Sequence, residues 1–505
     1  MQQLTDLITD WMPSQRWFAG AGAPRLRALG SYELQEPAAR GDGARRSAPG
    51  GSEASPVILV GIVADESGRE SGNRPVVYQV PIVLRPIQPA PDHREAEPEG
   101  FLGVIERGGV QYAAIDGPRD ESFAAALLDL IIGERDVRAG DAPDAVSVTG
   151  HLSASDLAGT PVSTSVLRGE QSNTSIIYRM RGADGAEAPP LIIKVFRTIA
   201  DGDNPDVVLQ TELAAAGSSR VPPVLGNVRG SWVDPRVDGR RAAGHLAFAQ
   251  RFFDGVEDAW RVALRAAGDG EAFVEDASKL GEATAETHAV LGEHLPTVPV
   301  DASRAAASVQ LMRDRFDEAV SLVPELSSVR DAAFAVFAEA EGASWPSLQR
   351  IHGDYHLGQV LLVPDVGWVL LDFEGEPLRP LAERNEPDST VRDVAGMLRS
   401  FDYVAGSLAM QAAEADAAGV EASSADPARE WASASRDAFI RGYRQGLADR
   451  GVAADAIERM LDARLLAAFE LDKAVYETRY EALHRRDWLP IPLAAIDRIL
   501  GTDQD

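Results

Sequence analysis

Apolar residues fall along this chain in two rhythms, and the change between them comes near Val256. Before it, short apolar segments alternate with turn residues. Leu26–Leu34, Val57–Val63, Val76–Leu84 and Gly109–Ala114 each predict a strand of one antiparallel sheet. Val162–Leu167, Thr174–Met180 and Leu191–Arg197 predict a meander with turns at Arg168–Asn173 and Arg181–Pro190, and His245–Phe253 predicts one further strand. Helical spacing interrupts this half at the amphipathic stretch Leu4–Trp17, at Glu121–Gly133 and at Pro205–Ala216. After Val256 helices dominate. The exception is a pair of short apolar runs, Val360–Val363 and Trp368–Leu371, around Pro364-Asp365-Val366-Gly367. Proline pre-sets φ and glycine accepts a positive φ, so this segment predicts a β-hairpin.

A chain of 505 residues is too long for one ordinary core. The pattern divides it into 1–119, 120–254 and a helical 255–505. The composition of Gly41–Pro56 and Pro86–Pro98 predicts loops, and the acidic, alanine-rich Ala412–Asp426 predicts a solvated helix–loop connection. No internal repeat is visible. Hydrophobic residues at 45% and charged residues at 25% describe an ordinary soluble protein. A net charge of −29 argues against binding to nucleic acid or to anionic lipid. The absence of cysteine excludes disulfides, thiolate zinc sites and cysteine nucleophiles. No apolar stretch approaches the roughly 20 residues that span a bilayer, and Met1–Asp6 lacks a basic region leading into an apolar core. The expectation is a cytoplasmic monomer with small-molecule partners only.

The chemistry concentrates in Ile351-His352-Gly353-Asp354-Tyr355-His356-Leu357-Gly358-Gln359-Val360. An aspartate followed five residues later by an amide has the spacing of a kinase catalytic loop, in which the carboxylate takes a proton from the attacking hydroxyl and the amide oxygen holds magnesium. Folding the hairpin back on itself brings Asp372 beside Gln359, two oxygen ligands for a hard cation. Lys194 lies inside the apolar run Leu191–Phe196 and needs a charged partner there. Glu212, in the next predicted helix, is the candidate, and such a pair holds the lysine on ATP phosphates in kinases. Arg168–Thr174, with Gly169, Ser172 and Asn173, is a candidate phosphate-covering turn; an ordinary hairpin turn is the competing reading. Ala249–Gly255 would form the hinge at adenine. His352 and His356 lack the His-Glu-x-x-His pattern and a third ligand, so they read as loop scaffolding before zinc ligands, with His356 also a candidate acceptor contact. Gly-x-Ser-x-Gly is absent, which removes serine-hydrolase chemistry.

Residues 350–403 resemble the maltokinase family of the aminoglycoside-phosphotransferase, or protein-kinase-like, superfamily. The carriers are His352-Gly353-Asp354, His356, Gly358-Gln359-Val360-Leu361, Asp372-Phe373-Glu374-Gly375-Glu376-Pro377, Pro387-Asp388-Ser389 and Arg392–Tyr403. Gln15–Gly20, Lys473–Glu477 and Trp488–Leu493 resemble the family's two ends, whereas Gly41–Pro56 looks like an insertion. The resemblance implies an α+β, bilobal protein-kinase-like fold with an N-terminal β-rich cap subdomain and a mainly helical C-terminal lobe. It implies phosphorylation of maltose at its anomeric hydroxyl by ATP and Mg2+, giving maltose 1-phosphate for α-glucan synthesis. By carry-over Asp354 is the base, Gln359 and Asp372 bind magnesium, Lys194 binds phosphate, and Glu374 faces the metal or sugar. Lys473, Tyr476 and Tyr480 share a helix stripe suited to a sugar, although two tyrosines of a buried helix would share that stripe as well. The alternatives are a kinase of glucosamine, an aminoglycoside or choline, and a pseudokinase; the last is disfavoured because Lys194, Asp354, Gln359 and Asp372 are all present.

Overall fold

A computed structural model describes residues 2–20, 22–37, 55–68, 74–87, 99–140, 142, 145–154, 159–167, 172–182, 184–237, 239–377, 379–417 and 425–501. Most of the expected 41–56 and 86–98 loops, Gly169, and the middle of the 412–426 connection lie outside these residues. The first helix, α1 (Gln2–Trp11), ends earlier than its amphipathic pattern suggests. Pro13 cannot continue the ladder, so Met12–Ser14 forms a single tight turn, and Trp17 reaches the core from irregular backbone. Leu4, Ile8, Met12 and Trp17 pack on Leu59, Val63, Tyr78, Val80, Ile82 and Leu84.

Those last residues belong to an antiparallel sheet of β1 (Leu26–Leu34), β2 (Val57–Asp65), β3 (Val76–Pro86), β4 (Phe101–Arg107) and β5 (Val110–Asp116), ordered β1-β2-β3-β5-β4. β4 goes unread in the sequence, where Gly103 and flanking charges break its alternation. Helix α2 (Glu121–Ile132) follows, its first turn capped by the Asp120 carboxylate accepting from the Ser122 amide.

A second sheet joins β6 (Asp136–Arg138), β7 (Ser147–Leu152), β8 (Thr160–Val166), β9 (Asn173–Arg181), β10 (Glu187–Phe196), β12 (Val224–Val233) and β13 (Arg241–Arg251) in the order β6-β7-β12-β13-β10-β9-β8. The expected meander is its β8-β9-β10 edge. β12 is missed because its glycines read as turn signals. They are there for close approach: a β-carbon at Gly226 would lie 2.0 Å from the His151 carbonyl oxygen, and one at Gly230 would lie 2.5 Å from Leu246. A short strand β11 (Thr198–Ile199) leaves β10 and pairs with β3.

Between β10 and β11 sits Arg197, with no exposed surface. Its Nη2 donates to both oxygens of Asp116 (2.7 and 2.8 Å), its Nε donates to Thr174 Oγ1 (2.8 Å), and its guanidinium lies 5.0 Å from the Trp17 ring centre. Gln79 of β3 bridges the same joint, donating to the carbonyls of Phe196 (3.0 Å) and Leu246 (2.9 Å). Charge buried in this way holds because the opposite charge lies beside it; of the three guanidinium nitrogens only Arg197 Nη1 is left without an acceptor.

By contacts the chain forms two compact units, Met1–Val207 with Pro223–Asp254 and Val208–Pro222 with Gly255–Asp505. The division runs through helix α3 (Pro205–Ala215). The second unit contains β14 (Glu257–Asp258), α4 (Ala259–Asp269), α5 (Val274–His294), α6 (Ala302–Leu322), α7 (Arg330–Glu341), the hairpin β15 (Val360–Val363) and β16 (Gly367–Leu370), α8 (Leu381–Arg384), α9 (Thr390–Ala417), α10 (Ala425–Asp449), α11 (Ala454–Met460), α12 (Ala463–His484) and α13 (Pro490–Leu500). Glycine lets α5 and α10 approach closely: a β-carbon at Gly281 would meet the Phe439 carbonyl oxygen at 2.1 Å, and one at Gly442 the Ser278 carbonyl oxygen at 1.9 Å. Helix α12 is buried nearly all round, yet carries Glu470, Asp472, Lys473 and Glu481 among its buried residues. A helix in that position must pair every charge it brings.

Asp116→Ala is expected to leave the Arg197 guanidinium uncompensated at a cost of about 3–5 kcal/mol, with faster amide exchange in β5 and β10. Exchange at the parent rate in both strands would show that the pair contributes nothing.

Candidate active site

The loop before the hairpin is held by a single carboxylate. Asp393, in the first turn of α9, accepts from the His352 amide at Oδ2 and from the Gly353 amide at Oδ1, both at 2.8 Å. His288 Nε2 stands 3.0 Å from the same Oδ2, and His288 Nδ1 stands 2.8 Å from the Tyr443 hydroxyl. Burial pushes the Asp393 carboxyl up, but the His288 bond and the Gly353 amide leave it below its ordinary range. Gly353 takes φ +85°, and a β-carbon there would press on Gly375 Cα at 3.1 Å, so only glycine suits the bend. The His352 ring accepts from the Asp354 amide at Nδ1 (3.4 Å) and faces the Leu371 carbonyl with Nε2 (2.8 Å). The proton therefore sits on Nε2. His356 likewise accepts from the Gly358 amide at 3.1 Å. Both rings scaffold the loop.

The hairpin forms, with its second strand starting one residue earlier than expected because Gly367 belongs to the strand and the turn is shorter. Val360 pairs with Leu370 and Val363 with Gly367, and the Leu371 amide donates to the Gln359 carbonyl at 2.9 Å. Asp372 follows at once and takes φ +61°, a conformation aspartate tolerates better than most side chains. An oxygen of Asp372 and one of Glu374 lie within 4.8 Å of each other. Two carboxylates this close are oxygen donors of the kind magnesium takes, and the Gln359 backbone lies at the facing strand end.

Asp354 meets a partner not expected from the sequence. Lys473 of α12 donates from Nζ to Asp354 Oδ1 and to Glu376 Oε1, each at 3.0 Å. Burial pushes the Asp354 carboxyl up, but the Lys473 ammonium, then His356 and the Lys473 hydrogen bond, overcome this and bring it to about 2. Burial works against the Lys473 charge, yet Asp354 and Glu376 raise its pKa on balance. Charges continue to alternate behind this pair. Glu376 meets Arg379 at 3.0 Å, Arg379 meets Asp388 at 3.5 Å, Asp388 meets Arg392 at 2.6 Å, and Arg392 meets Asp472 at 3.1 Å. Among the described residues Asp354 Oδ2 accepts no hydrogen bond.

That oxygen belongs to a residue lining a cavity of about 420 Å³, within the roughly 300–1,000 Å³ usual for small-molecule sites. His356, Lys473, Tyr476 and Tyr480 line it as well, so the tyrosine stripe of α12 is cavity wall more than core. Trp260, Tyr403 and Trp488 add aromatic surface. Tyr403 and Trp488 stack with centres 6.3 Å apart, the Arg485 guanidinium sits 4.7 Å from the Trp488 ring centre, and Lys473 Nζ sits 4.7 Å from that of Tyr476. Helix α9 contributes a small-residue face, Gly396 and Ser400. A β-carbon at 396 would lie 2.6 Å from the Tyr355 carbonyl oxygen, and Ser400 Oγ accepts from the Leu357 amide at 3.1 Å.

In the other unit, Lys194 is buried on β10 opposite Ser175 and Phe248. Its Nζ meets Asp206 Oδ2 at 2.9 Å, in the first turn of α3, six residues before the expected Glu212. The Asp206 amide donates to Asn204 Oδ1 (2.8 Å), and the Asn204 amide donates to His245 Nδ1 (3.0 Å), which sets the helix start. Asn173 opens β9 opposite Phe196, and Ser172 precedes it. The roles of Glu376, Asp393 and Asp206 escape sequence reading; Glu376 and Asp393 stand in motifs that carry the resemblance, and Asp206 is signalled only by its place at the start of a predicted helix.

Because its pKa falls on folding, Asp354 contributes stability in full above about pH 4 and loses it as pH drops toward 2. Asp354→Asn is expected to cost roughly 2 kcal/mol at pH 6, with a deficit that shrinks across that window. Urea midpoints of both proteins at pH 6 and pH 3 check this; a deficit independent of pH would contradict the pairing.

Residues 11–120 match the family model described as the maltokinase N-terminal cap domain. A glucosamine kinase of Streptacidiphilus jiangxiensis is 31% identical over 267 residues, and one of Mycolicibacterium smegmatis is 30% identical over 250 residues. These matches take in 50% and 48% of this chain, and only 58% and 59% of the relatives' lengths. A solved glucosamine kinase in complex with glucosamine, ADP and inorganic phosphate superposes with a TM-score of 0.63 at 20% identity, covering 98% of both chains. Residues 11–120 are thus similar to the maltokinase N-terminal cap domain, and over nearly its whole length the chain shares the fold of the solved glucosamine kinase.

Proposed function

We propose that the protein is an ATP-dependent sugar kinase, and that its acceptor is maltose, phosphorylated at the anomeric hydroxyl to maltose 1-phosphate for α-glucan synthesis. The observation that carries this reading is Asp354: an ionised carboxylate with one oxygen fixed by Lys473 and the other unclaimed, in the wall of an aromatic cavity. An acceptor hydroxyl bonded to Oδ2 is oriented for attack on the γ-phosphorus. Its proton passes to Asp354 as the new P–O bond forms and ADP leaves. A carboxylate this acidic is a weak base, so it works by orientation first and takes the proton late, as suits a loose phosphoryl-transfer transition state. Magnesium, when bound through Gln359, Asp372 and Glu374, supplies charge neutralisation on the phosphates. We assign Lys194, held by Asp206, to the nucleotide phosphates, and the turn with Gly169, Ser172 and Asn173 to the same role. Glu212 is left as a secondary candidate. We read the protein as cytoplasmic and monomeric; among the described residues no helix is long and apolar enough to cross a membrane.

The charges of the cavity favour a neutral sugar. Each acidic residue in its lining already has a cation: Asp354 has Lys473, Glu481 has Arg485, and Glu477 has Arg399 behind it. These cations weaken the pull on an ammonium group, whereas the oxygens left open, Asp354 Oδ2 and Glu477 Oε1, can each accept from a hydroxyl. The second reading, a glucosamine kinase, is supported by the names of the relatives.

Incubation with ATP and magnesium against maltose, glucose, glucosamine, kanamycin and choline is the deciding experiment. Turnover of maltose well above glucosamine is expected, and the reverse order would move the assignment to an amino sugar. Asp354→Asn is expected to lower kcat by roughly 10²–10⁴ with little change in acceptor KM. Full activity in that variant would remove Asp354 from the chemistry.

A further inference from the structure

We propose that Glu477 is a specificity-determining residue of this cavity, presenting one carboxylate oxygen to a ring hydroxyl of the acceptor. The inference rests on the reading of the cavity as the acceptor site. Glu477 lines the cavity one helical turn beyond Lys473, or about 6 Å along α12. A hydroxyl it bonds is thus remote from the oxygen that reacts at Asp354.

The geometry of its arginine leaves one oxygen of Glu477 facing the cavity without a donor. An arginine can engage both oxygens of a carboxylate, as Arg315 does in donating from Nε to Asp472 Oδ1 and from Nη2 to Oδ2, both at 2.7 Å. Arg399, fully buried, instead sends both Nε (3.0 Å) and Nη2 (2.8 Å) to Glu477 Oε2. Among the described residues Glu477 Oε1 accepts no hydrogen bond. Arg399 is itself fixed, because its Nη1 donates to Asp402 Oδ2 (2.7 Å), which also accepts from Arg436 (3.1 Å) and Arg498 (2.8 Å). Four helices, α9, α10, α12 and α13, thereby hold one carboxylate at a set angle. Burial leaves that carboxyl above its ordinary range despite Arg399, so a donor arriving from the cavity meets an oxygen short of hydrogen bonds. A site that expects a hydroxyl at a buried charged acceptor rejects the analogue lacking it far more strongly than a site lined by carbon does.

The test uses the full chain with maltose as probe, binding being read from tryptophan fluorescence (Trp260 and Trp488 line the cavity) and turnover from ADP release. Glu477→Ala is expected to raise both the Kd and the KM for maltose tenfold or more with KM for ATP unchanged, and Glu477→Gln, which keeps an acceptor oxygen, to fall between. Across monodeoxy maltoses, one position away from the reducing carbon should weaken binding to the parent protein but not to Glu477→Ala. Parent-like maltose binding in Glu477→Ala, or a parallel rise in KM for ATP, overturns the proposal and leaves the acceptor site intact. If the parent protein neither binds nor phosphorylates maltose, glucose or glucosamine, the acceptor reading falls and this inference falls with it.

Discussion

Two oxygens of one buried carboxylate hold the C-terminal site in shape. Asp393 takes the amides of His352 and Gly353 at once, and nothing else in the loop is placed until they are. The grip sets the His352 ring, which receives the Asp354 amide on one side and faces the Leu371 carbonyl on the other. Leu371 is the residue before Asp372, so the same ring ties the loop to the far end of the hairpin. A chain of short polar contacts thus runs from a helix start through a loop into a strand end. Every link replaces water that burial has removed, which is why losing one costs more than making one gains.

Around α12 buried charge is compensated within one network, although the chain as a whole carries −29. The surplus acid therefore lies outside the network around α12. Lys473 shows the principle: one ammonium serves Asp354 and Glu376 together, and the ladder through Arg379, Asp388, Arg392 and Asp472 reaches neutrality at Arg315. A carboxylate held this way is shifted toward its ionised form, and its orientation is set before a ligand arrives.

What could be read from the sequence was local. The hairpin at 360–370 followed from turn chemistry within a dozen residues, and the meander from strand alternation over short spans. The misreadings have specific causes. The amphipathic rhythm of the first helix carries on past Pro13, where the backbone cannot follow. Gly226 and Gly230 resemble turn punctuation but serve strands that pass at contact distance. The lysine's partner was sought at Glu212 because helix phase is blurred in sequence, whereas Asp206 sits where the helix begins. Arg399 with Glu477, and Lys473 with Asp354, are separated by 78 and 119 positions, and no local pattern announces such pairs.

Helix α9 runs unbroken for 28 residues and meets the site three times, at Asp393, at Gly396 with Ser400, and at Tyr403 beside Arg399. Loop anchor and cavity wall are therefore carried on one helix, so any displacement that reshapes the wall also shifts the loop that bears Asp354. The cavity cannot be widened on that side without moving Asp354. Diversification of such a scaffold is confined to the opposing wall, the exposed rim of α12 and the Arg485–Trp488 corner, where side chains can be exchanged while α9 stays still.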